Sequence, residues 1–173
     1  MAFSPELLVT HRAVVGISDM AVASSANVVL STYALGSCVG VLAFDSHTKA
    51  AGLIHIMLPA VGNRKNSDYN PCMFVDTGLP ELFREMAGMR ALKARMSVAL
   101  IGGASVNKAG GGKSFFKIGE DNVAAVRDFC RKNALRIVYE DVGGYTNRTI
   151  HFYIGKGQLT VKKPSGTDEI ELS

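Results

Sequence analysis

A cysteine and a histidine seventeen residues apart carry the chemistry open to this chain. Cys38 sits in a Gly36-Ser37-Cys38 loop and His55 in an apolar run, both within TYALGSCVGVLAFDSHTKAAGLIHIMLP, residues 32–59. A free thiol titrates at about pH 8.5, so little thiolate exists near neutrality. An imidazole that takes the thiol proton gives a thiolate–imidazolium pair, the form that attacks a carbonyl carbon. Backbone N–H groups at the Gly36-Ser37 turn are candidates to hold the resulting oxyanion. Thr32 enters the same turn with a hydroxyl that is a candidate to orient the imidazole. The same residues fit a structural reading as well: a small core cysteine and a satisfied core histidine.

Three elements must bring these groups together. Residues 28–34 are β-branched and apolar and read as a strand. Gly36 lets the chain turn. Residues 39–44 and 50–58 are two further apolar runs joined by the polar link Asp45-Ser46-His47-Thr48-Lys49, and predict an antiparallel hairpin. With Phe44 paired to Lys49 a four-residue loop closes it, a common length. That register sets Cys38 directly opposite His55, on one face of the sheet. A slip of one residue would part them.

The length of 173 residues fits one domain, 1–173, with a core over about 11–163. A hydrophobic share of 47% and a charged share of 20% are those of an ordinary soluble protein. The net charge of +4 allows an acidic partner surface. Without a basic block interleaved with aromatics it gives no nucleic-acid signal. No apolar run reaches the roughly 18 residues a bilayer needs, and the first residues, MAFSPELLVTHR, lack a secretory pattern. Cys38, Cys72 and Cys130 are an odd set without metal-ligand spacing, so neither a disulfide framework nor a zinc site is expected, and a cytoplasmic setting is.

Along the chain, residues 12–18 read as a strand with 19–23 as its possible partner. Residues 60–73 are a polar loop in which Arg64 and Lys65 are candidates to border a substrate groove and meet acidic groups; a solvated connector is the other reading. Residues 77–88 form an amphipathic helix capped by Thr77, with Leu79, Leu82, Phe83 and Met86 on one face. A buried strand at 96–101 leads into Gly102-Gly103-Ala104. Gly112-Lys113-Ser114 resembles a P-loop end, yet Asn107 stands where that motif needs glycine, and no helical pattern begins at Lys113. Residues 120–133 form a second helix with Cys130 on its core face. Strands at 136–142, 149–154 and 158–163 read as a meander, in which His151 is structural or exposed. His11 and His47 lie in polar settings, and the tail 164–173 reads as disordered or a partner arm. Together these elements predict an α+β fold, mostly antiparallel sheet or sandwich layers with at least two packed helices.

The string LGSCVGV with a threonine six before its cysteine, then GLIHIMLP, Gly102-Gly103-Ala104, IGEDNV and EDVGGYTNRTIHFYIGKG, occurs in an order that resembles the CheD family of chemoreceptor glutamine deamidases. The resemblance covers most of residues 11–163. It implies Cys38 as nucleophile, His55 as base, Thr32 as third member, and a layered fold shared with the toxins that deamidate Rho proteins. The implied reaction is hydrolysis of receptor glutamine amides to glutamate without metal or organic cofactor. The implied partners are the cytoplasmic helices of methyl-accepting chemotaxis receptors and the CheC phosphatase, which such proteins bind and stimulate. Two positions depart from the pattern: Ala34 stands where glycine is expected, and Gly78 where alanine is.

Overall fold

The three apolar runs at the middle of the chain become strands buried at every residue, a pattern that requires cover on both faces. The computed structural model, which describes residues 10–62, 68–105 and 117–173, supplies that cover with a second sheet on one side and two helices on the other. In chain order the elements are β1 (His11–Val14), β2 (Asp19–Ala23), β3 (Val28–Leu35), β4 (Val39–Asp45), β5 (Ala50–Ile56), α1 (Val75–Gly88), β6 (Met96–Gly102), α2 (Ile118–Lys132), β7 (Arg136–Val142), β8 (Arg148–Tyr153), β9 (Gln158–Lys163) and β10 (Gly166–Glu171). One sheet has the order β1-β3-β8-β9-β10 and the other β2-β5-β4-β6-β7. The α+β class expected from the sequence is the one observed.

Alternation along β4 and β5 divides the core. Val39, Val41, Ile54 and Ile56 pack under Leu79, Leu82 and Met86 of α1 and Val123 and Val126 of α2. Leu42, Phe44 and Leu53 face the other way, onto Leu30, Ile150, Phe152 and Val161 of the first sheet. The chain therefore changes sheets between β3 and β4, and Gly36, Ser37 and Cys38 are the residues that make the crossing. Strand β6 passes through α2 to its parallel neighbour β7, the arrangement a parallel pair needs because a tight turn cannot join it.

Five local expectations are corrected. The β4–β5 hairpin pairs Asp45 with Ala50 and Gly40 with His55, two residues away from the register that set Phe44 against Lys49. The cause is the turn: the Asp45 carboxylate accepts the N–H of His47 and starts the reversal itself, and Lys49 closes it in the left-handed region, φ +59°. Strand β2 pairs with β5, not with β1, which runs parallel to β3. The meander fails at its first member, since β7 belongs to the helix-covered sheet while β8 and β9 pair in the other. The tail is ordered: β10 pairs with β9 and buries Leu172 between the sheets. Helix α1 begins at Val75, and Thr77 donates to the Pro71 carbonyl rather than capping the helix.

Candidate active site

Thr32 and His55 come from different sheets and meet in the layer between them. Thr32 Oγ1 lies 2.8 Å from His55 Nδ1 and 2.7 Å from the Val15 carbonyl oxygen. A hydroxyl has one proton to give, and the carbonyl can only accept it. Thr32 therefore donates to Val15 and accepts from His55, so the imidazole proton sits on Nδ1. Nε2 is left with its lone pair, buried and without a hydrogen-bond partner among the described residues. An imidazole in this tautomer presents a free base nitrogen. The residue directly opposite His55 on β4 is Gly40, which has no side chain.

Cys38 lies one step beyond the laddered part of β4. Because the register moved by two residues and not by one, the face is preserved, and Cys38 packs against the inter-sheet cluster to which His55 also points. The cysteine is half-buried, while His55 is 1% exposed. Burial pushes the Cys38 thiol up, with the residue's own backbone N–H acting the other way. Burial also pushes the His55 imidazole down. Both shifts favour the uncharged forms, and the Cys38 thiol makes no hydrogen bond to His55 Nε2, which is without a partner among the described residues.

The crossing is fixed through backbone contacts. The carbonyl of Gly36 accepts from Ala104 N–H at 2.7 Å, and that of Cys38 accepts from Gly103 N–H at 2.8 Å. A β-carbon at Gly102 (φ +111°) would lie 2.3 Å from the Cys38 oxygen, so residue 102 admits no side chain. Gly36 is not in the left-handed region; Ala34 is, at φ +55°, where the β3–β8 register shifts. Sequence reasoning placed the conformational demand two residues too late.

Sequence reasoning also left Asn122 and Arg148 without roles. Asn122 is fully buried on α2, and its Nδ2 donates to the carbonyls of Ser37 at 3.0 Å and Met57 at 2.9 Å. Its signal was an amide on the apolar stripe that carries Val126 and Cys130. Arg148 is 5% exposed and donates to the Gly143 and Thr146 carbonyls and to Asp141. Gly143 N–H in turn bonds the Gly102 carbonyl. Of the remaining candidates, Cys130 is buried as expected, His11 and His47 are exposed, and His151 is buried with Nδ1 2.8 Å from Ser31 Oγ. Arg64, Lys65 and the Gly112-Lys113-Ser114 segment lie outside the described residues. Among the described residues no cluster of metal-ligating side chains occurs, and no helix is long and apolar enough to cross a membrane.

Residues 57–163 match the family model described as CheD chemotactic sensory transduction, more than half of the chain. The chain belongs to the CheD family. The matched stretch begins after His55, so membership is established independently of Thr32, Cys38 and His55. A Pyrococcus horikoshii protein named probable chemoreceptor glutamine deamidase CheD is 40% identical, over 91% of this chain and 95% of its own. Another so named, with the suffix 1, from Syntrophus aciditrophicus is 38% identical, over 88% and 94%. In fold the chain is similar to a crystal structure of a Neisseria meningitidis protein of family model DUF152, with TM-score 0.50 and 14% identity. That likeness covers 78% of this chain and 64% of the Neisseria protein, just under two thirds of its length.

Proposed function

We propose that this chain hydrolyses glutamine side-chain amides of methyl-accepting chemotaxis receptors to glutamate, with Cys38 as nucleophile, His55 as base and Thr32 as the group that orients the base. The names of its CheD-family relatives support the substrate class. The observation that carries the mechanism is the unpartnered Nε2 of His55, held in the base tautomer by a hydroxyl whose proton is already committed.

The reaction runs in two halves. Nε2 takes the Cys38 proton as sulfur attacks the amide carbon, and the carbonyl oxygen becomes an oxyanion against N–H groups of the Gly36-Ser37-Cys38 turn. The oxyanion collapses, the C–N bond breaks, and the imidazolium gives its proton to the departing ammonia. A thioester remains. Nε2 then takes a proton from water as its oxygen attacks, the C–S bond breaks, the proton returns to sulfur, and glutamate is released. One imidazole carries every proton, drawn from the Cys38 thiol and then from water, and backbone amides make the oxyanion contacts in this scheme. The work is done in the cytoplasm, where the receptor helices lie, and Arg64 and Lys65 meet acidic groups of the receptor.

Receptor incubated with the protein should gain about one dalton per modified glutamine, the change set by replacing amide with acid through this covalent route. Cys38→Ala and His55→Ala should each lower the rate by at least ~10³-fold, because members of a catalytic unit fail together. Ordinary deamidation by Cys38→Ala would overturn the mechanism. A protein serving only as a binding partner of the CheC phosphatase would release no ammonia from receptor at all.

A further inference from the structure

The nucleophile and the base sit on segments that share one clamp. Asn122 spends both N–H groups of its side chain on two main-chain carbonyls, that of Ser37 immediately before the nucleophile and that of Met57 just after the His55 strand. The amide orientation is forced. Both neighbours are acceptors, so the nitrogen must face them, and Oδ1 is left buried without a partner among the described residues. A buried polar atom left unpaired costs about 1–3 kcal/mol, and the site keeps this one. Asparagine or glutamine alone among uncharged side chains offers two donors on one nitrogen.

The clamp has a directional consequence. In a planar trans peptide the carbonyl and the following N–H point opposite ways. With the Ser37 carbonyl drawn onto α2, the Cys38 N–H is turned away from the helix. In the proposed mechanism that N–H is a donor to the oxygen of the attacked amide. The helix is seated for this purpose by bare backbone: a β-carbon at Gly119, one turn before Asn122, would lie 2.5 Å from the Gly103 oxygen. Gly103 in turn donates to the Cys38 carbonyl.

We infer that Asn122 is a positioning residue of the proposed deamidation: by holding the Ser37 carbonyl it aims the Cys38 N–H at the oxyanion. The inference rests on the Cys38 mechanism above. Its test uses two reactions of the same thiol. Alkylation by iodoacetamide is a displacement at saturated carbon that releases iodide and forms no oxyanion, whereas deamidation must form one. Asn122→Asp keeps the shape and removes both donors, and Asn122→Ala removes the clamp. Each should lower kcat for receptor deamidation about 10²-fold, the usual loss when an oxyanion donor is misdirected, with KM and the Cys38 alkylation rate within about threefold of the unaltered protein. Equal losses in both reactions would mark Asn122 as merely structural and overturn the inference, as would unchanged kcat. Absence of deamidation by the unaltered protein would instead overturn the function. Should both variants fail to fold, the unaltered protein decides. A peptide bearing glutamic semialdehyde adds the Cys38 thiol across its carbonyl, sulfur bonding to carbon and the thiol proton passing to oxygen. The Cys38 amide proton should then move downfield in NMR while the Asn122 side-chain protons stay protected from exchange. An unmoved Cys38 amide or freely exchanging Asn122 protons would overturn the inference.

Discussion

Burial acts on Cys38 and His55 in opposite directions on the pH scale, and that constrains the proposed mechanism. The thiol is raised above its ordinary value and the imidazole lowered below its own, so in the proposed mechanism proton transfer to Nε2 is uphill at rest and is completed only as sulfur bonds to carbon. The signs give a test. Cys38 alkylation by iodoacetamide should climb with pH to above pH 9, without the plateau from acid to neutral pH that a standing thiolate produces. The acid limb of deamidation should lie below about pH 6.5, the ordinary imidazole value, because a depressed imidazole remains a free base to lower pH. A flat alkylation profile between pH 5 and 8 would show an ion pair and contradict this account. In the proposed mechanism Thr32 acts through the tautomer it imposes, so substitutions there separate hydroxyl from volume. Thr32→Val should cost about 10²-fold in kcat, within the range for a general base displaced from its task. Thr32→Ser, which still donates to Val15 and accepts from Nδ1, should recover most of it. Equal rates for the two variants, measured by ammonia release, would remove Thr32 from the mechanism.

At the scale of elements, the crossing from β3 to β4 is where the backbone is strained. Ala34 occupies the left-handed region at the bulge between Thr32 and Leu35, a conformation that costs an L-residue about 1–2 kcal/mol. Glycine removes that cost but loses more chain entropy on folding, about 0.4–1 kcal/mol. Ala34→Gly should therefore raise the unfolding free energy by about 0.5–1 kcal/mol, read from urea denaturation; a destabilised variant would mean that the Ala34 methyl packs better than its backbone suffers. The same crossing shows what the sequence could disclose. The runs that became β4, β5 and β6 were legible because residues buried on both sides leave continuous apolar stretches. Cys38, His55 and Thr32 stood out as candidates because their types are few and their spacing is short, and the structure joins Thr32 to His55 by a hydrogen bond. Partner choice was not. Strands β1 and β2 have the same local character whichever strand they pair with, and β7 is divided from β8 by sheet although five residues separate them in sequence. The hairpin register turned on one side-chain contact, the Asp45 carboxylate on His47 N–H, which hydrophobic alternation cannot register. Asn122 stood in the IGEDNV string without a role, because a helix stripe records which positions are buried and not which carbonyls they meet.

Across the whole molecule, the helix side and the hairpin end are joined by one buried carboxylate. Asp45 is fully buried. Besides His47 it accepts the N–H of Leu92, at the approach to β6, and a forked pair of bonds from Arg95, the closest 2.7 Å. It thereby ties the end of β4 to the segment that leads from α1 into the neighbouring strand. Burial works against its ionisation, but Arg95 and the two backbone N–H groups outweigh burial and hold the carboxyl far below the usual carboxylate range. The sign follows from linkage. A group whose pKa is lower folded than unfolded stabilises the fold above its unfolded value, about 3.9 for aspartate, and that contribution disappears as pH falls toward the folded value. Thermal stability should therefore fall steeply below about pH 4. Asp141 is lowered in the same direction, its own burial outweighed by Lys163 and Arg148, and adds to the acid slope at the other end of the sheets, where Arg148 holds the turn that bonds Gly102. Asp45→Asn isolates the first contribution. It keeps one acceptor oxygen but leaves the Arg95 guanidinium, about a third exposed, without a counter-charge and turns an N–H group toward donors. It should cost about 2–4 kcal/mol at pH 7, near the range for breaking a buried pair with allowance for the exposure of Arg95. Its Tm should also change less between pH 5 and pH 2 than that of the unaltered protein. Parallel Tm curves for the two proteins over that interval would show that the acid sensitivity of this fold resides elsewhere than at the β4 hairpin.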